Sequence, residues 1–235
     1  MQELMQLIEN RQSARGLFDP ERAIPAEDIV KILEAARWTP TAHNMQNFQI
    51  VVVDDKQLLN AISEIKIPVD PTFIRENYPQ LSFTEDELRR KKTGIMGTTF
   101  PKSWQTPDPS LEDIENEDRG AYMARQIVSC SAILFVLYDP SRRAPASEGD
   151  FLGIIGLGCA MENMWLMANS LGIGVHIVSS LAVKKVAAEI AKLLNVPDKL
   201  RLAFSMRLGY PVTPVHYLRV RRDREDFVHR NGFKE

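Results

Sequence analysis

Apolar residues recur at helical spacing along most of the chain, and the exceptions are four short runs where they are continuous or alternate. Leu4 to Asn10 reads as a short amphipathic helix. Pro25 opens a second, with Ile29, Ile32, Leu33 and Ala36 on one face, ending near Trp38 before Pro40. Helices are also predicted from Lys56 to about Ile65, from Arg119 to Ser129 and from Val183 to Leu194. Phe48 to Val53 and Ala132 to Tyr138 are continuous apolar runs of the kind that form buried strands. Val175 to Val178 gives a third strand. Leu202, Phe204, Met206 and Leu208 alternate with smaller or polar residues, giving a fourth that stops at Gly209-Tyr210-Pro211. Strands separated by helices imply a sheet covered on both faces.

Two stretches depart from this rhythm. Phe151 to Leu171 is apolar nearly throughout, which predicts a long helix buried on almost all sides and ended by Gly172 and Gly174. Such a helix is either the central helix of a large core or the seat of a second subunit. Residues 66–118 are dominated by Pro and charge, with scattered aromatics. Within them Thr84-Glu85-Asp86-Glu87 fits a capping box opening a helix through Lys92, and Phe100 to Pro109 reads as loop.

Composition narrows the class. The chain has 235 residues, and 29 basic against 31 acidic side chains give no electrostatic case for nucleic acid or an anionic membrane. Cys130 and Cys159 lie in apolar runs, as buried thiols of a reducing compartment do. Glu162 and Asn163 interrupt the apolar helix, which argues against a membrane span, and the N-terminus lacks a signal-peptide pattern. The expectation is a cytoplasmic protein without membrane or nucleic-acid partners.

Three polar groupings carry candidate chemistry. Arg11-Gln12-Ser13-Ala14-Arg15 sets two guanidiniums and a hydroxyl after a helix, able to hold phosphate oxygens without a glycine loop. Pro40-Thr41-Ala42-His43-Asn44-Met45-Gln46-Asn47 supplies hydroxyl and carboxamide groups that can pair with a ring's carbonyl and imide edge; His43 reads as a turn residue. In Arg219-Val220-Arg221, an extended backbone would put both Arg side chains on one face. No Ser-His-Asp order, metal-spaced His cluster or glycine-rich nucleotide loop competes with them. Gly156-Leu157-Gly158 lies inside the long helix, where close packing explains it better than phosphate binding.

The order of these groupings is more specific than any one of them. Arg-x-Ser-x-Arg, then Pro-Thr-Ala-x-Asn-x-Gln before the first strand, then Ala160-Met161-Glu162-Asn163 in a helix ending Leu171-Gly172-Ile173-Gly174, then Gly209-Tyr210-Pro211 and an Arg-rich close resembles the FMN-dependent nitroreductase family. The resemblance covers roughly residues 3–65 and 120–231. It implies an α+β, three-layer nitroreductase-like fold, with a mixed central sheet between helices, in an interlocked homodimer holding FMN at the subunit interface. It implies a single domain, residues 1–235, with a lid-like insertion at about 66–118. By position, Arg11, Gln12, Ser13 and Arg15 match the first flavin-binding segment, and Pro40, Thr41, Ala42 and Asn44 the segment reaching flavin from the other subunit. Arg221, with Arg219, matches the phosphate position, and Val178, Ser179 and Ser180 the contact to the reactive edge. The Ser pair departs from the acidic residue and glycine of many relatives. Phe100 and Trp104 stand as substrate-facing residues of the insertion.

The implied activity is a ping-pong oxidoreductase in which NADH or NADPH reduces FMN and a nitroaromatic, quinone or related small molecule accepts the electrons. No side chain is assigned as catalytic, since FMN carries the hydride. Reductive dehalogenation, flavin fragmentation and a non-catalytic flavin sensor or carrier are the alternatives on the same scaffold.

Overall fold

Ala132–Tyr138 is almost wholly buried because both of its faces are covered. Ile133 and Phe135 point into one hydrophobic layer, and Leu134 and Val136 into the other. This period-two division of a continuous apolar run makes the strand interior to a three-layer fold. The computed structural model describes residues 2–67, 76, 82–99, 119–214 and 216–233. It divides into two units, Met1–Ile67 with Gly120–Val215 and Pro68–Arg119 with His216–Glu235.

In the first unit the elements are α1 (Gln2–Asn10), α2 (Ala26–Arg37), β1 (Phe48–Val53) and α3 (Lys56–Ser63). The second unit holds β2 (Ser82–Phe83), α4 (Glu85–Lys91) and β3 (Ile95–Met96). The first then resumes with α5 (Arg119–Val128), β4 (Ala132–Tyr138), α6 (Phe151–Ser170), β5 (Gly174–Ile177), α7 (Lys184–Leu193) and β6 (Arg201–Gly209). The sheet order is β1-β4-β6-β5, and each of these neighbours pairs antiparallel. The parallel component of the expected mixed sheet is a bridge from Ser13 to Val175 at the β5 edge. Leu59 and Ile62 of α3, Ile127 of α5 and Val186 and Ile190 of α7 cover one face. Ile32 and Ala36 of α2 with Leu157, Met164, Trp165 and Ala168 of α6 cover the other.

Local signals set the helix ends. The Asp55 side chain accepts from Leu58 N–H, and α3 stops at Ser63, two residues short of the expected end. The capping box at Thr84 and Glu87 forms, and Lys92 ends α4 in the left-handed region. In the same unit Lys92 pairs with Asp223. The two-residue strands β2 and β3 escape sequence reading because so short a run carries no periodicity. The Phe100–Pro109 loop lies outside the described residues.

The structure corrects the reading of the long helix. Glycine at C′ with positive φ, Gly172, ends α6 as expected, with Ile173 N–H bonded to Ala168 O at 2.9 Å. Yet α6 is not buried on nearly all sides within one chain. Phe151, Ile154 and Ile155 are 65%, 49% and 47% exposed. With Gly158, whose Cβ position faces open space, they form an i, i+3, i+4, i+7 stripe. High apolarity all round therefore reflects two different surfaces, one against the sheet and one facing outward. By length and composition alone α6 could cross a membrane, but its polar residues find partners inside the chain: Glu162 meets Arg11 and Asn163 donates to Ala35 O.

Gly174 and Gly209 are required by close approach. A Cβ on Gly209 would lie 2.6 Å from Phe18 Cγ, and one on Gly174 2.9 Å from Phe18 Cε1. The Phe18 ring is fully buried, and the atoms met at Gly209 include its Cβ and Cγ, close to the backbone rather than at the far end of the side chain. Gly209→Ala is expected to cost about 1–3 kcal/mol through overpacking. Urea unfolding measures this, and an unchanged midpoint would show that the ring relocates freely.

Candidate functional site

The Arg11–Arg15 segment runs beside β5, where it joins the sheet edge. Ser13 bridges Val175, and Ala14 N–H donates to Val175 O at 2.8 Å. Beyond it, the backbone is held from below by buried polar side chains. Gln126 Nε2 donates to Arg15 O, Arg207 Nη2 donates to Gly16 O at 3.0 Å, and Ser129 Oγ accepts from Phe18 N–H at 3.3 Å. Arg11 is held from the side: its Nε lies 3.0 Å from Glu162 Oε1, and its guanidinium sits 4.6 Å from the Trp165 ring centroid. Both partners are on α6. A partly exposed ion pair adds little stability, so its role here is orientation.

The Pro40–Asn47 segment takes a strained conformation. His43, Asn44 and Gln46 have φ of 51°, 52° and 45°. Left-handed non-glycine residues cost free energy and persist where the surroundings over-determine them. Here Gln46 N–H donates to Thr41 Oγ1 at 3.1 Å, and Gln46 Nε2 to Asn44 Oδ1 at 2.9 Å. The segment rests on α6, with Thr41 Cγ2 3.3 Å from the Cβ position of Gly156. Close packing thus explains Gly156, while Gly158 faces outward. His43 is a turn residue in geometry, as expected.

Val178, Ser179 and Ser180 follow β5 directly. Val178 N–H bonds Ser205 O and its carbonyl accepts from Ser205 Oγ, both at 3.0 Å. This fixes the start of the turn Ser179–Ala182. Ser179 is exposed, whereas Ser180 Oγ is buried without a hydrogen-bond partner. A buried orphan hydroxyl is a group left for a ligand or an ordered water, and it fits a cofactor that offers ring heteroatoms. Arg219 and Arg221 are exposed and Val220 is less so, the alternation of an extended segment. They belong to the second unit. Phe100 and Trp104 lie outside the described residues.

In the first unit the structure brings Arg11, Gln12, Ser13 and Arg15 beside the β5 strand that leads into Val178–Ser180, and sets Pro40, Thr41, Ala42 and Asn44 elsewhere on α6. At about 100° per residue, Gly156 and Glu162 are roughly 120° apart around that helix, and Gly156 and Trp165 roughly 180°. One chain therefore presents the two segments on different faces of α6. Sequence reading missed the supports: Glu162, Trp165, Gln126, Ser129 and Arg207. The signals were present, as an acid in an apolar helix and an arginine in an apolar strand.

His176 pairs across the sheet with Arg207. Burial, then the charges of Arg207 and Arg15, push its imidazole down to about 3. Cys130 is pushed up to about 11, chiefly by burial, so it stays a thiol.

The pattern of the Nitroreductase family matches residues 8–210. The chain belongs to that family. An Archaeoglobus fulgidus protein named for NADH dehydrogenase or NAD(P)H nitroreductase is 42% identical over 64 residues, 27% of this chain and 36% of that one. An NADPH-dependent oxidoreductase of Staphylococcus haemolyticus is 21% identical over 205 residues, 87% of this chain and 63% of that one. The chain thus spans less than two thirds of the length of either curated relative. Among solved structures, a nitroreductase with bound FMN from Bacteroides fragilis shares the fold at a TM-score of 0.59 and 19% identity, over 97% of this chain and 99% of that one.

The depressed His176 pKa sets a pH dependence. The unfolded chain takes a proton near the ordinary value of about 6.5, whereas the fold resists it until about 3. Stability present above about pH 6.5 is therefore lost as pH falls through that window, by about 1.4 kcal/mol per unit. Denaturant unfolding of wild type and His176→Gln should show a difference that grows at this rate in favour of the variant. A difference independent of pH would mean that the imidazole protonates freely in the fold.

Proposed function

We propose that the protein is an FMN-dependent oxidoreductase that draws electrons from NADH or NADPH and passes them to a nitroaromatic, quinone or related small acceptor. The carrying observation is that the N-terminal segment bearing Arg11 and Arg15 bridges β5 at Ser13, the strand that leads into the orphan hydroxyl of Ser180, with Arg11 oriented by Glu162. Family membership and the names of the relatives support the same reading. FMN when bound would supply a carrier that accepts hydride and returns electrons in a ping-pong order.

The protein's part is to bind and orient. Arg11 and Ser13 would hold phosphate and ribityl oxygens with Gln12 beside them, and Arg219 and Arg221 would add phosphate donors. Arg15 would place positive charge against the pyrimidine edge. The backbone around Val178, Ser179 and Ser180 would fix the reactive edge and exclude water. Pro40, Thr41, Ala42 and Asn44 would reach the cofactor of a second copy. A homodimer seated on the Phe151-Ile154-Ile155-Gly158 stripe follows, because that stripe lies on the Glu162 side of α6, next to Arg11. Leu4, Met5 and Ile8 of α1 are also exposed and apolar. The insertion at about 66–118 would serve as the lid, with Phe100 and Trp104 facing the acceptor. Free thiols at Cys130 and Cys159 suit a cytoplasmic location.

Purified protein is expected to show an oxidised flavin spectrum that bleaches anaerobically on adding NADH or NADPH. Protein that stays colourless and takes up no added FMN would sink this reading. Separately, Ile154→Lys is expected to convert a dimer to monomers in sedimentation and to weaken FMN binding at least tenfold. A wild-type chain that sediments as a monomer would remove the two-subunit site.

A further inference from the structure

Arg207 is an arginine in the middle of an interior strand, fully buried. Its neighbours in β6, Met206 and Leu208, face the α2 and α6 layer, so Arg207 faces the other, beside Phe18 and Cys130. Its Nη2 donates to Gly16 O at 3.0 Å, and its guanidinium lies 4.8 Å from the Phe18 ring centroid. Nε and Nη1 have no hydrogen-bond partner. Among the described residues no carboxylate pairs with it. Cys130 is held as a thiol and His176 as a neutral imidazole, so neither neutralises the charge. A buried, unpaired cation is destabilising unless an anion arrives to compensate it.

The charge sits directly behind the backbone at the end of the candidate cofactor-binding segment. Gln126 grips the carbonyl of Arg15, the last residue of the Arg11–Arg15 segment, and Arg207 grips that of Gly16 just beyond it. Arg15 and Arg207 also act on the same His176 imidazole, so their two positive charges bear on one region.

We propose, on the flavin reading given above, that Arg207 is a positioning residue whose guanidinium fixes the Arg15–Gly16 backbone and supplies a second, buried positive charge favouring the reduced, anionic cofactor over the oxidised one. Hydride from the nicotinamide brings two electrons and one proton to a neutral ring, which leaves one net negative charge on it; the nicotinamide leaves oxidised. A cation that acts on that charge binds the reduced form more tightly than the oxidised form.

The test compares wild type, Arg207→Lys, Arg207→Met and Arg207→Gln by FMN titration, anaerobic redox titration and thermal unfolding without flavin. Met and Gln are expected to lower the ratio of reduced to oxidised FMN affinity at least tenfold. For a two-electron couple this is a fall of ~30 mV in the bound midpoint potential. Lys should retain most of the ratio while weakening both forms through loss of the Gly16 contact. Neutral variants without flavin should be no less stable than wild type. Unchanged potentials in Met and Gln, with wild type binding FMN, would overturn the role of the charge while leaving the flavin reading intact. Neutral variants that fail to fold would make Arg207 structural and overturn it too. A wild type that binds no FMN would overturn the flavin reading, and this proposal with it.

Discussion

The approach of Phe18 to the ends of two strands is the constraint on which the site depends. Its ring lies against backbone at Gly174 and Gly209, where any side chain would displace it. Burying an aromatic of this size against the sheet gives the preceding residues one place to go. Ser13 then bridges β5, and the segment from Arg11 onward is laid beside the strand that leads into Val178 and Ser180. The candidate site is thus built on the sheet edge and inherits its rigidity.

Helix α6 plays the complementary part. One of its surfaces closes the core through Leu157, Met164 and Ala168. Small residues at Gly153 and Gly156 let the Asn47 and Thr41 region lie close to the helix, and Glu162 and Trp165 orient Arg11 on another side. The same helix also carries an exposed apolar stripe. Core, loop support, cation support and interface are all read from one element, which explains why its sequence has no amphipathic period. A helix with four kinds of neighbour cannot show one polar face.

Much of this was legible in the chain. β1 and β4 were read to the residue, because continuous β-branched and aromatic runs between turn signals have few other solutions. The Thr84 capping box was readable for a similar reason, being local chemistry. The uncovered side of α6 was not legible, since apolarity says that a surface is covered without saying by what. Nor were the supports of Arg15 and Gly16, because Gln126 and Arg207 reach them from 111 and 191 residues away. The close seat of Thr41 on Gly156 likewise joins residues far apart along the chain, which no window of local sequence contains.

The strand order β1-β4-β6-β5 has a kinetic side. Val53 pairs with Ile133, and Ala132 with Leu208, so the interior strand finds both neighbours across long stretches of chain. Only β5 and β6 are joined by a short connection, through α7. Loop closure precedes the reward of such pairings, and a high contact order slows collapse to the native sheet. Until the sheet closes, the apolar twenty-residue stretch of α6 has no covering layer. The feature that gives α6 its several roles also makes the nascent chain vulnerable to association with the wrong neighbour before the sheet has closed.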